Sequence, residues 1–126
     1  MYRGKCLCGR IQFSLCGEPT DPHVCCCQMC QHWSGAPLVA WVNFPLASIL
    51  HEGEQPTLYR SSHHTQRGFC SQCGSTLFAL DDGSDTICMT MAVLDEKDNL
   101  FPEFESFSEH APTWLSCSLK HKEYPE

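Results

Sequence analysis

The sequence predicts a mainly β fold made of several small antiparallel sheets stapled by zinc–thiolate knuckles. Three observations carry that reading. Apolar residues alternate with polar ones over short stretches instead of recurring at helical spacing. Gly, Pro, Asp and Ser clusters break the chain at short intervals. Cysteines arrive in tight groups at the joints between the stretches. A chain of 126 residues supports one domain, expected to span 1–126, with an adequate but modest core that metal can supplement.

The elements follow in order. Arg10-Ile11-Gln12-Phe13-Ser14-Leu15 alternates as a half-buried strand should, and Gly17-Glu18-Pro19-Thr20-Asp21-Pro22 breaks it. Gln28 to Ser34 has the composition for a turn or two of helix, as does Ala47 to Leu50. Leu38-Val39-Ala40-Trp41-Val42-Asn43-Phe44 reads as a more buried strand ended by Pro45. Thr57 to Ser61, Ser75 to Leu80, Asp85 to Val93 and Glu103 to Ser108 are further strand candidates. The chain shows no linker, low-complexity stretch or internal repeat.

Seven of the 11 cysteines form Cys6-x-Cys8, Cys25-x-Cys27-x-x-Cys30 and Cys70-x-x-Cys73. Pairs one or two residues apart can wrap one zinc ion at about 2.3 Å per Zn–S bond. Seven donors divide into four and three: four thiolates close a structural site, and three leave one position open. Cys6-x-Cys8-Gly9 and Cys70-x-x-Cys73-Gly74 both end on glycine, which permits a knuckle's sharp turn, and are grouped as the structural set. Spacing alone leaves open which pairs share an ion. A redox reading of Cys70-x-x-Cys73 needs a βαβ context that the pattern lacks. A disulfide framework fits poorly, because the cysteine count is odd and Met1 to Lys5 leads straight into a knuckle. A reducing, cytoplasmic setting is expected.

The balance of 8 Lys+Arg against 15 Asp+Glu, a net charge of −7, disfavours a nucleic-acid partner. No apolar run is long enough to span a membrane. Lys120-His121-Lys122 reads as a solvated tail, and His63-His64 as solvated. His32, beside the middle cysteines, is the candidate proton shuttle, and His23 a candidate outer or fourth ligand. Cys26 is an alternative donor. Trp33 reads as core or pocket wall, and Ser34-Gly35 as a turn able to offer backbone donors. Cys16, Cys88 and Cys117 read as small buried apolar residues.

Gly4-Lys5-Cys6-x-Cys8-Gly9, Cys25-x-Cys27-x-x-Cys30-x-x-Trp33-Ser34-Gly35-Ala36 and Gly68-Phe69-Cys70-x-x-Cys73-Gly74-Ser75-x-Leu77 together resemble the glutathione-dependent formaldehyde-activating enzyme family, which includes centromere protein V. The resemblance runs from Gly4 to about Trp114. It implies an Mss-four-like fold with two zinc ions, one structural on Cys6, Cys8, Cys70 and Cys73, and one catalytic on Cys25, Cys27 and Cys30. It also implies a carbon–sulfur lyase resembling S-(hydroxymethyl)glutathione synthase, which joins formaldehyde to a small-molecule thiol such as glutathione. The alternative is a non-catalytic zinc-binding interaction module. Substrate and oligomeric state are not readable from the residues.

Overall fold

The computed structural model describes residues 1–115; Cys117 and Lys120-His121-Lys122 lie outside them. Among the described residues, ten strands and one α-helix run in the order β1 (Tyr2–Lys5), β2 (Ile11–Leu15), β3 (Thr20–Cys25), α1 (Gln28–Ser34), β4 (Val39–Pro45), β5 (Ile49–Gly53), β6 (Thr57–Arg60), β7 (Thr65–Phe69), β8 (Thr76–Asp81), β9 (Thr86–Thr90) and β10 (Phe104–Ser106). They form a three-stranded sheet β1-β2-β5 and a seven-stranded sheet β10-β3-β4-β9-β8-β7-β6. Pairing is antiparallel throughout except for β10 against β3. The class is mainly β, as expected, with its strands gathered into two sheets.

Side-chain alternation splits the larger sheet into two different faces. The register sets Val42 opposite Met89, Met89 opposite Phe78, and Phe78 opposite Gly68. With Phe44, Leu77 and Ile87, these residues bury against Ile11, Phe13 and Leu15 of β2 in the main core. Gly68 has a packing reason: a Cβ there would strike the Phe78 ring. The opposite row is Asn43, Cys88, Ala79, Arg67 and Tyr59. Several of these are small or polar, so this face is left with a hollow.

Four strands escape the sequence pattern. β3 lies partly inside the breaker-rich stretch because its register shifts between Thr20 and His23, where Asp21 takes a positive φ of 51° and Pro22 is accommodated. β7 contains Gln66-Arg67-Gly68, which composition alone reads as a turn. β1 is too short to show a period. Near Ala47 to Leu50 only Leu46–Ser48 is a 3-10 turn, and Ile49 already starts β5. Gln28–Ser34 is helical as predicted, closed by Gly35 in the left-handed region with its N–H on the Gln31 carbonyl. No helix among the described residues is long and apolar enough to cross a membrane.

Candidate metal centres and the cleft beside them

Two hairpin-like knuckles meet to form the first cysteine group. Gly9, at φ 80°, turns the chain so that its N–H reaches the Cys6 carbonyl at 3.1 Å, and the Ile11 N–H points at Cys6 Sγ at 3.3 Å. Gly74, at φ 78°, does the same for the second knuckle, with its N–H on the Cys70 carbonyl at 2.8 Å. Ser75 ties the two together: its Oγ accepts the Leu7 N–H at 2.9 Å and lies 3.2 Å from Cys73 Sγ. The sulfurs of Cys6, Cys8, Cys70 and Cys73 all fall within 4.8 Å of one another. Cys6 and Cys8 are 3.6 Å apart and Cys8 and Cys70 3.8 Å. A tetrahedral ion with four sulfurs at 2.3 Å has edges of about 3.8 Å, so the donors fit such a centre.

The thiols of this group differ in character. The Ser75 hydroxyl, followed by the Ser75 amide, holds Cys73 down at about 5. Against the pull of the Cys73 amide, burial and the neighbouring sulfurs of Cys73 and Cys6 push Cys70 up to about 11. Burial raises Cys6, but the Ile11 amide and the sulfurs of Cys8 and Cys70 outweigh it and leave the thiol below its ordinary value. A cluster containing thiols with lowered pKa values gives up protons readily to a metal.

The second group is local. Cys25 ends β3, Cys27 caps α1 by accepting the Cys30 N–H on Sγ at 3.3 Å, and Cys30 lies in the first turn of α1. Their three sulfurs also lie within 4.8 Å of one another, and no fourth cysteine, histidine, aspartate or glutamate among the described residues completes the group. Burial, then the Cys27 sulfur and the nearby Cys25 charge, push Cys30 up to about 12, with Arg67 acting the other way. Burial also raises Cys25, whereas Cys27 sits below its ordinary value despite burial, because the sulfur and amide of Cys30 favour its thiolate.

These three cysteines line a cleft of ≈ 380 Å³ on the hollow face of the large sheet, with His23, Trp41, Asn43, Arg67, Ala79, Asp81 and Cys88 among its other walls. Arg67 is the unusual member. It is 6% exposed, its Nη2 points at Cys30 Sγ at 3.9 Å and its Nε donates to Ser61 Oγ at 3.3 Å. Its guanidinium carbon stands 4.8 Å from the Trp33 ring and 5.7 Å from Trp41, and those two rings are parallel at 5.9 Å. Trp33 and Trp41 therefore brace a buried cation beside the sulfurs.

Residues 1–110 match the family described as glutathione-dependent formaldehyde-activating enzyme. The chain belongs to this family. A similar curated protein is an uncharacterized lyase of Schizosaccharomyces pombe, 34% identical over 85 residues; the match covers 67% of this chain and 61% of that protein's length. A crystal structure of a Rhodobacter sphaeroides protein superposes with a TM-score of 0.64 at 20% identity, covering 82% of this chain and 99% of the other, and shows the fold alone.

Within this formaldehyde-activating-family chain, the other sequence candidates separate by position. His23 lines the cysteine cleft; its Nδ1 donates to the Asp21 carbonyl at 2.6 Å and its ring stacks on Phe104 at 4.8 Å. His23 belongs to neither sulfur group. His32 is exposed and borders a different groove, with Gln28, Gln31, Pro112 and Trp114, so it does not line the cleft of the three cysteines. The reason is helical geometry: α1 turns Cys30 inward and His32 outward. Cys26 is buried but outside both sulfur groups, its N–H bound to the Ser106 carbonyl at 2.9 Å. Ser34 closes the helix, its Oγ donating to the Cys30 carbonyl at 2.8 Å and accepting the Ala36 N–H at 3.1 Å.

Two expectations for single cysteines change. Cys16 is exposed, and Cys88 is a half-buried wall of the cleft, pushed up to about 12 by burial and then by Cys30. Sequence reading also passed over Arg67, Asn43 and Asp81. The sequence carried no signal for Arg67, because its sulfur neighbour Cys30 is distant along the chain and only the fold brings them together.

Proposed function

We propose that this protein is a zinc-dependent carbon–sulfur lyase, a thiol-adduct enzyme that joins glutathione or another small thiol to formaldehyde or a related small carbonyl. The observation that carries this reading is a group of three sulfurs, with no fourth cysteine, histidine or carboxylate joining it among the described residues, lining an open cleft in a chain of the formaldehyde-activating family. Cys6, Cys8, Cys70 and Cys73 would hold a structural zinc, and Cys25, Cys27 and Cys30 a catalytic one. Bound zinc supplies Lewis acidity, which lowers the pKa of a thiol or polarises a carbonyl.

The residues of the chain position and exchange the proton. Because a carbonyl can only accept, the hydrogen of the neutral His23 ring sits on Nδ1 and faces Asp21, leaving Nε2 as the exchangeable nitrogen. His23 Nε2 takes the proton of the substrate thiol as sulfur forms its bond to the carbonyl carbon. The C=O π electrons move to oxygen, which receives that proton, and the product is the neutral hemithioacetal. Trp41 and Ala79 supply an apolar wall suited to a small carbonyl. His23 replaces His32 in this role because it shares the cleft with the cysteines.

Exchange NMR on mixtures of glutathione and formaldehyde tests the reading. Zinc-loaded protein should accelerate adduct formation in proportion to its concentration, and Cys27→Ser should lose that acceleration while keeping its fold. A fully loaded wild-type protein that leaves the exchange at its uncatalysed rate would overturn the lyase and leave a zinc-binding module.

A further inference from the structure

Arg67 is more than nine-tenths buried, yet its Nη1 has no hydrogen-bond partner. A buried guanidinium ordinarily meets a carboxylate. None of the ion pairs among the described residues includes Arg67. Asp81, the carboxylate that shares its cleft, instead accepts the Thr65 hydroxyl. The other donors of Arg67 are engaged, Nε on Ser61 and Nη2 toward Cys30, and the Trp33 and Trp41 rings lie against its guanidinium. A planar fork with one nitrogen to spare is suited to binding an anionic oxygen.

We propose that Arg67 anchors an anion subsite in the cleft, and that this subsite takes the carboxylate of a small mercapto acid. The guanidinium is adjacent to the sulfur group, with Nη2 3.9 Å from Cys30 Sγ. A ligand that engages both must carry its sulfur and its carboxylate close together on a short carbon chain. The sulfur half of this ligand rests on the proposed thiol-adduct function; the carboxylate half rests on Arg67 alone. The subsite would therefore favour compact thiol acids over neutral thiols of equal size.

The test separates the two halves. Trp33 and Trp41 flank Arg67, so their fluorescence in the zinc-loaded protein reports an anion arriving there. Acetate, which has no thiol, should give a saturable change in the wild type that Arg67→Gln loses and Arg67→Lys weakens, with circular dichroism verifying that each variant is folded. Mercaptoacetate should bind the wild type roughly tenfold more tightly than 2-mercaptoethanol, the advantage of one charged hydrogen bond, and equally in Arg67→Gln. No saturable acetate signal, a signal that survives in Arg67→Gln, or equal affinity for the two thiols in the wild type would overturn the anchor. Acetate and mercaptoacetate binding equally, with no binding of 2-mercaptoethanol, would support the anchor and sink the thiol-adduct function.

Discussion

The two cysteine groups use the same atoms but differ in how the chain builds them. The four-sulfur group joins Cys6-x-Cys8 to Cys70-x-x-Cys73, segments far apart in sequence, and its Cys6 and Cys70 are part of the main core. The three-sulfur group comes from one short segment, Cys25 to Cys30, where a strand passes into a helix on the open face. A metal in the first group closes a long loop and stabilises the whole fold. A metal in the second is held by a local turn that the sheets already position. The proposed function thus gives stability and chemistry to separate sites, and the comparison can be broken in several ways.

The largest effect is expected at the long-range site. Cys70→Ser should remove the metal together with the fold, because a structural zinc contributes on the order of 10 kcal/mol in small domains. Thermal melts and metal analysis would show this as lost cooperativity, and a variant that melts like the wild type would mean that the knuckles close without metal. Cys27→Ser should lose only the second metal, lowering zinc from about two per chain to about one while the melt keeps its cooperativity. Loss of both metals in that variant would show the sites to be coupled.

Acidification distinguishes the sites by a smaller margin. Protons and metal compete for each thiolate, so the ligand set with the higher pKa values releases its metal at higher pH. Two of the three thiols in the local group are raised, Cys25 and Cys30, the latter to about 12, against Cys27, which is lowered; in the four-sulfur group Cys73 is held at about 5 and Cys6 is lowered, against Cys70, which is pushed up to about 11. As pH falls, the three-sulfur group should empty first and the four-sulfur group later, in two steps visible to a chelating dye. A reversed order would contradict the assignment. The smallest effect is expected from Ser75→Ala, which removes the hydroxyl beside Cys73 and the acceptor for the Leu7 N–H. It should destabilise the protein by about 1 kcal/mol and move only the later release step to higher pH.

The sequence alone determined what depends on spacing along the chain. Cysteines one or two residues apart bring their sulfurs close together, so the three cysteine clusters and the helix between Gln28 and Ser34 were legible, as were the strands with clean alternation, whereas the joining of Cys6 and Cys8 to Cys70 and Cys73 is seen in the structure. What it did not show depends on residues brought together across the sheet. β3 and β7 contain Pro22 and Gly68, which composition reads as breakers and which a shifted register and the Phe78 ring explain only in three dimensions. Likewise Asn43, Cys88, Ala79 and Arg67 come from four different strands, and only the pairing of β4, β9, β8 and β7 sets them in one row. The tertiary structure alone decided that His23 shares the cleft with the cysteines while His32 turns away, and that a buried arginine stands beside the three-sulfur group. A side chain's direction follows from helix phase and strand register, and neither is written in the spacing of the cysteines.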